Sequence, residues 1–532
     1  MHIENPILRG FNPDPSIVRV GEDNYIATST FEWFPGVQIH HSKDLVHWEL
    51  IGQVLTNTAQ LDLRGVPDSC GVWAPCLSYD NGIFYLVYTN VKSFDGVWKD
   101  TPNFLVTTTD IRGEWSAPVF LHARGFDGSL FHQSNGKKWF LNMLVDHRGG
   151  KFFGGIEIQE YDPTAKKLTG PVHFLTEGTA LGCTEAPHLL EKNGFFYLIL
   201  AEGGTEYDHA VSIARSKEIL GPYDFHPQNP IITAKDAPEQ YLQKTGHGDL
   251  VETPQGDWYI VLLASRPLSS RGRCVLGRET AIERIVWKND WPYVLEGKKI
   301  RTMIEAPSVA QQIHSKKSSL EYRFDGGELS KDFQSLRIPM NEEWCSLSAR
   351  KGYLRLIGKE SLNSFNQQSL IARRVQHFTI EVETQVDFNP QNLMQLAGLV
   401  FYYNTGHYHY ANITANYAGT KKYLSVISSD NYRMRFQDEL VDVTQAKHIR
   451  LKGILNGSSL HFYFALDEDA TFSPLGEGLD ASILSDDYVQ HGGIHYRPAF
   501  TGCFVGMCCQ DLATHSQKAD FKYFTYIVYF LA

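Results

Sequence analysis

What the 532 residues lack narrows the possibilities first. No apolar run approaches the roughly 20 residues of a membrane-crossing helix; the longest, such as Phe195 to Ala201 and Trp258 to Ala264, stop far short. No pair of the eight cysteines has the CxxC spacing of a metal knuckle. Basic residues are in the minority, 49 Lys and Arg against 60 Asp and Glu, for a net charge of −11. A phosphate-backbone binder needs a basic face, so nucleic acid is not an expected partner, and neither is a membrane. Long helical periodicity is missing as well. With 42% hydrophobic and 20% charged residues, the chain can bury more than one core, which excludes disorder. The opening Met1-His2-Ile3-Glu4-Asn5-Pro6 has neither the basic region nor the apolar stretch of a signal peptide. A cytoplasmic protein with reduced thiols is therefore expected.

What is present is a repeat. A turn glycine followed by an aromatic-rich strand recurs five times, at glycines 21, 82, 136, 194 and 256, separated by 61, 54, 58 and 62 residues. Asn81-Gly82, Asn135-Gly136 and Asn193-Gly194 are hairpin signals, because both residue types tolerate the positive φ of a primed turn. A second phrase keeps the same period, in Ser42-Lys43-Asp44-Leu45, Thr108-Thr109-Asp110-Ile111 and Ser216-Lys217-Glu218-Ile219. Short strands and turns at this period predict four-stranded blades packed around an axis, hence a five-bladed β-propeller over residues 1–305. The repeat fades after Tyr293, and 306–319 reads as a linker. Beyond it, the alternation Phe378, Ile380, Val382, Val386, Phe388 and the apolar segments flanking Asn456-Gly457 predict a β-sandwich over 320–532. The fold class is all-β.

Nine positions before each glycine stand Trp73, Asp127, Glu185 and His247, and in the first repeat Asp14 precedes Gly21 by seven. Equivalent positions on innermost strands form a ring at one end of the channel. Singly, each has an ordinary structural explanation: Asp14 before Pro15 as a turn residue, Glu185 as a solvated strand end, His247 as a hydrogen-bonded core histidine, Trp73 as packing. Together they favour a site, because clustered acids without matching cations resist burial.

Inverting glycoside hydrolysis needs a carboxylic acid to protonate the leaving oxygen and an opposed carboxylate to activate water, roughly 6.5–9.5 Å apart. Blades one and four are not neighbours, so Asp14 and Glu185 could face each other across the opening. An ionised Asp127 on the intervening side would keep a neighbouring carboxyl protonated. This makes Glu185 the general acid, Asp14 the general base, and Asp127 the pKa tuner and substrate anchor, although spacing alone does not fix which acid is which. Arg278 is a candidate to orient a carboxylate or sugar hydroxyl, with a surface ion pair as its plainer role. A non-catalytic sugar-binding or scaffolding propeller is the competing reading.

At these residues the chain resembles glycoside hydrolase family 43, in particular its two-domain β-xylosidases. The matching phrases are Phe11-Asn12-Pro13-Asp14-Pro15-Ser16, Trp73-Ala74-Pro75, Asp127-Gly128-Ser129, Thr184-Glu185-Ala186-Pro187, Ala201-Glu202-Gly203-Gly204-Thr205 and Leu276-Gly277-Arg278-Glu279-Thr280. One departure is Ala186, where a glycine is common. The resemblance implies a five-bladed propeller with inverting chemistry, and places base, tuner and acid on Asp14, Asp127 and Glu185. It implies Arg278, Phe31 and Trp73 around a terminal xylose, with Thr205 also in the pocket and His247 in the axial channel. It further implies a concanavalin-like second domain lending a phenylalanine to the pocket rim, with Phe500 the first candidate and Phe504 the second. Short xylo-oligosaccharides or related pentosides are the expected partners, in a homo-oligomer. No cofactor is expected; His247 lacks companion ligands in the sequence, which favours a structural or water-mediated role over the alternative of a divalent cation in the axial channel, and sequence leaves metal dependence open. The expected activity is exo-acting β-xylosidase, with α-L-arabinofuranosidase activity on the same pocket.

Overall fold

A computed structural model of the protein describes residues 2–148, 152–307, 319–437, 440–491 and 497–529. Among them, the α-helix Asp486–His491 is the only one, and strands dominate. Four strands in chain order make the body of each blade, beginning with innermost strands Ser16–Val20, Gly71–Asp80, Gly125–His132, Glu185–Lys192 and Gln243–Glu252 for blades I to V. Blade IV carries one extra strand, Ile232–Thr233, on its third. The five hairpin turns fall at the glycines of the repeat. Asn81-Gly82 and Asn193-Gly194 have φ of 49° and 83°, and 51° and 75°, as a primed two-residue turn demands.

Neighbouring inner strands are stitched by side chains at every junction. The Leu77 amide donates to Ser16 Oγ at 3.0 Å, His132 Nε2 meets Ser78 Oγ at 2.9 Å, and Ser129 Oγ donates to Pro187 O. His188 lies 3.7 Å from Asp249, whose other oxygen accepts the Ile17 amide at 2.9 Å and returns the ring to blade I. Among the described residues no blade borrows a strand to close the ring. The N-terminal segment closes it instead: His2–Glu4 pairs with Met303–Glu305, Leu8 bridges Thr280, and the Asn5 side chain both donates to and accepts from the Ile282 backbone.

The second domain is a sandwich of an eight-stranded and a nine-stranded antiparallel sheet. Its core strands alternate as the sequence reading expects, with Ile380, Val382 and Val386 buried on Thr379–Phe388, and Ile449, Leu451 and Leu455 on the strand paired with it. The last strand, Lys518–Val528, is central in its sheet, between Thr379–Phe388 and Leu354–Ile357. Ser319, read as the end of the linker, already belongs to strand Ser319–Arg323; residues 308–318 of that linker lie outside the described residues.

The domains share a sheet. Trp33–Phe34, between the second and third strands of blade I, pairs with Gln334–Leu336 as an edge strand of the nine-stranded sheet. Around it the interface is polar and specific: the buried Arg337 donates to Val66 O and Asp68, Asp68 accepts from Thr405, and Lys244 meets Asp487 at 2.6 Å. Phe504 belongs to this seam. It starts a sandwich strand and stacks on Trp33 with centroids 3.7 Å apart and planes at 13°.

Gly71 lies where blade II leaves this seam, at φ +90°, and a Cβ there would stand 2.4 Å from the Phe31 carbonyl oxygen. Gly71→Ala should cost roughly 2 kcal/mol or more in urea unfolding. An unchanged midpoint would mean that the Phe31–Val72 bridge is not a tight constraint.

Candidate active site

Apart from Lys244 (φ 54°) in blade V, each inner strand carries a non-glycine left-handed residue within it or just before it: Asp14 (φ 53°), Ala74 (23°), Asp127 (55°), Ala186 (49°) and His247 (49°). Proline or glycine follows each, in Pro15, Pro75, Gly128, Pro187 and Gly248, and in blades II to V the register breaks there. Such a backbone is unfavourable for a non-glycine residue and persists only where its surroundings over-determine it. The kink aims side chains at the mouth of the channel instead of into the sheet packing. Counting back from the turn glycine needs a correction of one residue in two blades. Blades III and V turn through five-residue loops, whereas I, II and IV use two. Asp14, Asp127 and His247 therefore occupy the kinked position, and Trp73 and Glu185 precede it.

All five still meet in one cavity of about 780 Å³, together with Arg278, Phe31, Thr205 and Phe500. Phe500 is the sandwich's contribution. Its ring centroid is 6.1 Å from Phe31 and 5.5 Å from Trp73, the latter edge to face. Phe504 is absent from the lining, because its stack on Trp33 keeps it inside the interdomain core. Sequence reasoning missed other parts of the aromatic wall, among them Phe126 beside Asp127, and Phe94 and Phe152 on connections of blades II and III, with Phe94 and Phe126 5.1 and 5.2 Å from Trp73. Phe126 could have been found from its neighbour. The other two sit where the repeat has no equivalent positions.

Arg278, on the third strand of blade V, is buried, which removes the surface ion pair as its role. Its Nη1 donates to Asp14 Oδ1 at 3.0 Å, and Nε and Nη2 donate to the Phe500 carbonyl at 3.3 and 3.1 Å. Asp14 Oδ2 accepts from Ser29 Oγ at 2.7 Å, and His247 Nδ1 lies 3.6 Å from Oδ1. Burial alone would raise the Asp14 pKa, but Arg278, His247 and the serine together bring it below the ordinary value. His247 itself is pushed down to about 4 by burial, which outweighs the pull of Asp14, so its ring is neutral beside the carboxylate near pH 7.

The other two acids move the opposite way. Burial, then the charges of Asp127 and Asp14, hold Glu185 well above the carboxylate range. Burial and Asp14 raise Asp127 to about 8, with Arg278 and His188 opposing. The expectation of an ionised Asp127 is thus corrected. Asp14 holds the settled negative charge because the guanidinium is on its side, and Asp127 and Glu185 form a raised pair that retains protons near neutrality. Among the described residues no hydrogen bond joins any two of these carboxyl groups, and no three metal-ligating side chains cluster.

A raised carboxyl also carries a stability signature. Between the ordinary value near 4 and about 8, folded Asp127 holds a proton that the unfolded chain has lost, so stability falls as pH rises through that window. Asp127→Asn should therefore gain thermal midpoint over the wild type at pH 8 and little at pH 5. Parallel melting curves across that range would contradict the assignment.

A propeller whose mouth gathers three buried carboxyls in an aromatic pocket, one lowered beside an arginine and two raised by burial, defines a carbohydrate-cleaving class, since such a set suits acid–base attack on a glycosidic bond. Comparison gives the family. Residues 3–292 match glycosyl hydrolases family 43, and 321–527 match the beta xylosidase C-terminal concanavalin A-like domain, so the chain belongs to glycosyl hydrolase family 43. It is 47% identical to xylosidase/arabinosidase 43B of Humicola insolens over 98% of this chain and 97% of that one. It is 46% identical to a beta-xylosidase of Bacillus subtilis (strain 168), over 99% of both. The crystal structure of xylan beta-1,4-xylosidase from Bacillus halodurans C-125 superposes with a TM-score of 0.95 at 45% identity, covering 99% of this chain and 100% of that one.

Proposed function

We propose that the protein is an inverting, exo-acting β-xylosidase that removes xylose from the non-reducing end of short β-1,4-xylo-oligosaccharides, with α-L-arabinofuranosidase activity in the same pocket. The observation that carries the reading is the opposite bias of two acids in one cavity, with Asp14 lowered beside Arg278 and Glu185 raised by burial. Glu185 gives its proton to the glycosidic oxygen as the bond to the anomeric carbon breaks. Asp14 takes a proton from the water that attacks the opposite face of the sugar. Asp127, protonated, donates a hydrogen bond to a hydroxyl of the terminal sugar, while burial and the charge on Asp14 keep Glu185 loaded. Trp73, Phe31 and Phe500 supply apolar faces to the terminal sugar, which as xylopyranose lacks the exocyclic hydroxymethyl group of a hexopyranose.

Xylosidase and xylosidase/arabinosidase names among the relatives support the pentoside specificity. A purely sugar-binding role is disfavoured, because a lectin gains nothing from burying three carboxyls that must share protons. The eight cysteines stand as free thiols, which supports a reducing, cytoplasmic setting.

Replacing Glu185 with Ala tests the acid. Hydrolysis of xylobiose, with its poor leaving group, should fall about 10²–10⁴-fold, and cleavage of a nitrophenyl xyloside should fall far less. Equal losses on both substrates would remove Glu185 from that role.

A further inference from the structure

Phe500 enters the pocket from the second domain, yet both polar groups of its backbone are held by the propeller. Arg278 takes the carbonyl, and the amide donates to Ser69 Oγ at 3.0 Å. Ser69 is fully buried, on the segment that leads into the inner strand of blade II. Its own carbonyl accepts the indole N–H of Trp73 at 2.9 Å. Its amide donates to the buried Glu32 at 3.2 Å, and its φ of 58° is left-handed. On one side, Asp68 is bound by Arg337 and Thr405 of the sandwich; on the other, Gly71 and Val72 pack on the Phe31 backbone. One serine thus touches the backbone of the sandwich phenylalanine and the side chain of the propeller tryptophan, the two rings that meet at 5.5 Å over the acids.

We propose that Ser69 is a positioning residue for sugar binding, which sets Phe500 of one domain against Trp73 of the other and so fixes the width of the slot that receives the terminal pentose. This rests on the pentosidase reading of the pocket. The hydroxyl has a second lone pair and a proton to spare, but its use here is as the acceptor for an amide that has no other partner among the described residues. Without it the Phe500 N–H is buried and unpaired, and the backbone there is held only through the carbonyls on either side of it, Phe500 O on Arg278 and Ala499 O on Gln490 Nε2 at 2.8 Å. The ring would then sample positions that leave the slot open. The acids, which lie on other strands and keep Arg278, would be unaffected, so binding should suffer and chemistry should not.

Two variants separate this from a general loss of structure. Ser69→Gly removes the hydroxyl and relieves the left-handed strain; Ser69→Ala removes the same hydroxyl and keeps the strain. Both should raise KM for a nitrophenyl xyloside, and the inhibition constant of free xylose, by about 3- to 10-fold, the worth of one neutral hydrogen bond. Both should leave kcat within about twofold of the wild type, since no transition-state contact is lost. Their thermal midpoints should differ from each other, with Gly the higher. Hydrogen exchange at the Phe500 amide, followed by mass spectrometry, should quicken in both, and this readout does not depend on activity. Unchanged KM and exchange would overturn the proposal. So would an effect confined to Ala, because it would track backbone strain and not the hydroxyl. A wild-type protein that cleaves no pentoside would defeat the functional reading instead, while the exchange result would still report on the hydrogen bond.

Discussion

The Arg278 guanidinium is the contact on which the site depends. One of its arms meets Asp14 and the others meet the Phe500 carbonyl, so the group that keeps one acid ionised also brings the second domain to the pocket. Three buried carboxyls in one cavity would otherwise all favour the protonated state, and a pocket of three neutral acids has no base. With the guanidinium placed against Asp14, the asymmetry between a low acid and two high ones follows from placement. The same arrangement explains why the domains are joined by ion pairs and a shared sheet edge: a slip of the sandwich would remove Phe500 from the pocket and loosen the arginine beside Asp14.

Much of the fold was legible because a propeller repeats its turns. Glycines 21, 82, 136, 194 and 256 carry the hairpins, and the interval between them is a whole blade. The ring of functional residues was legible for the same reason, with an error of one residue at Trp73 and Glu185. Loop length caused it: the glycine is the second residue of a two-residue turn in blades II and IV and the fourth of five in III and V. The Pro or Gly after each kinked residue was a better marker, because it reports the backbone conformation itself.

Other features left no trace in local sequence. Trp33–Phe34 reads as part of blade I, and nothing in its composition says that it completes a sheet some 300 residues away. Phe500 and Phe504 are equally apolar and only four residues apart; what separates them is that Trp33 stacks on one ring while Ser69 and Arg278 hold the backbone of the other. The state of Asp127 was misjudged because charge in a buried cluster is settled collectively. Its neighbour Asp14 took the arginine, and only the three-dimensional arrangement reveals which carboxyl does so.

The central claim is that Asp14 acts on water while Glu185 acts on the leaving group, in a single displacement. Proton NMR of the first turnovers of a β-xyloside, recorded before mutarotation, tests it most directly. The account predicts α-xylose as the first-formed product. β-Xylose appearing first would require attack by a protein carboxylate at the anomeric carbon, and would contradict it.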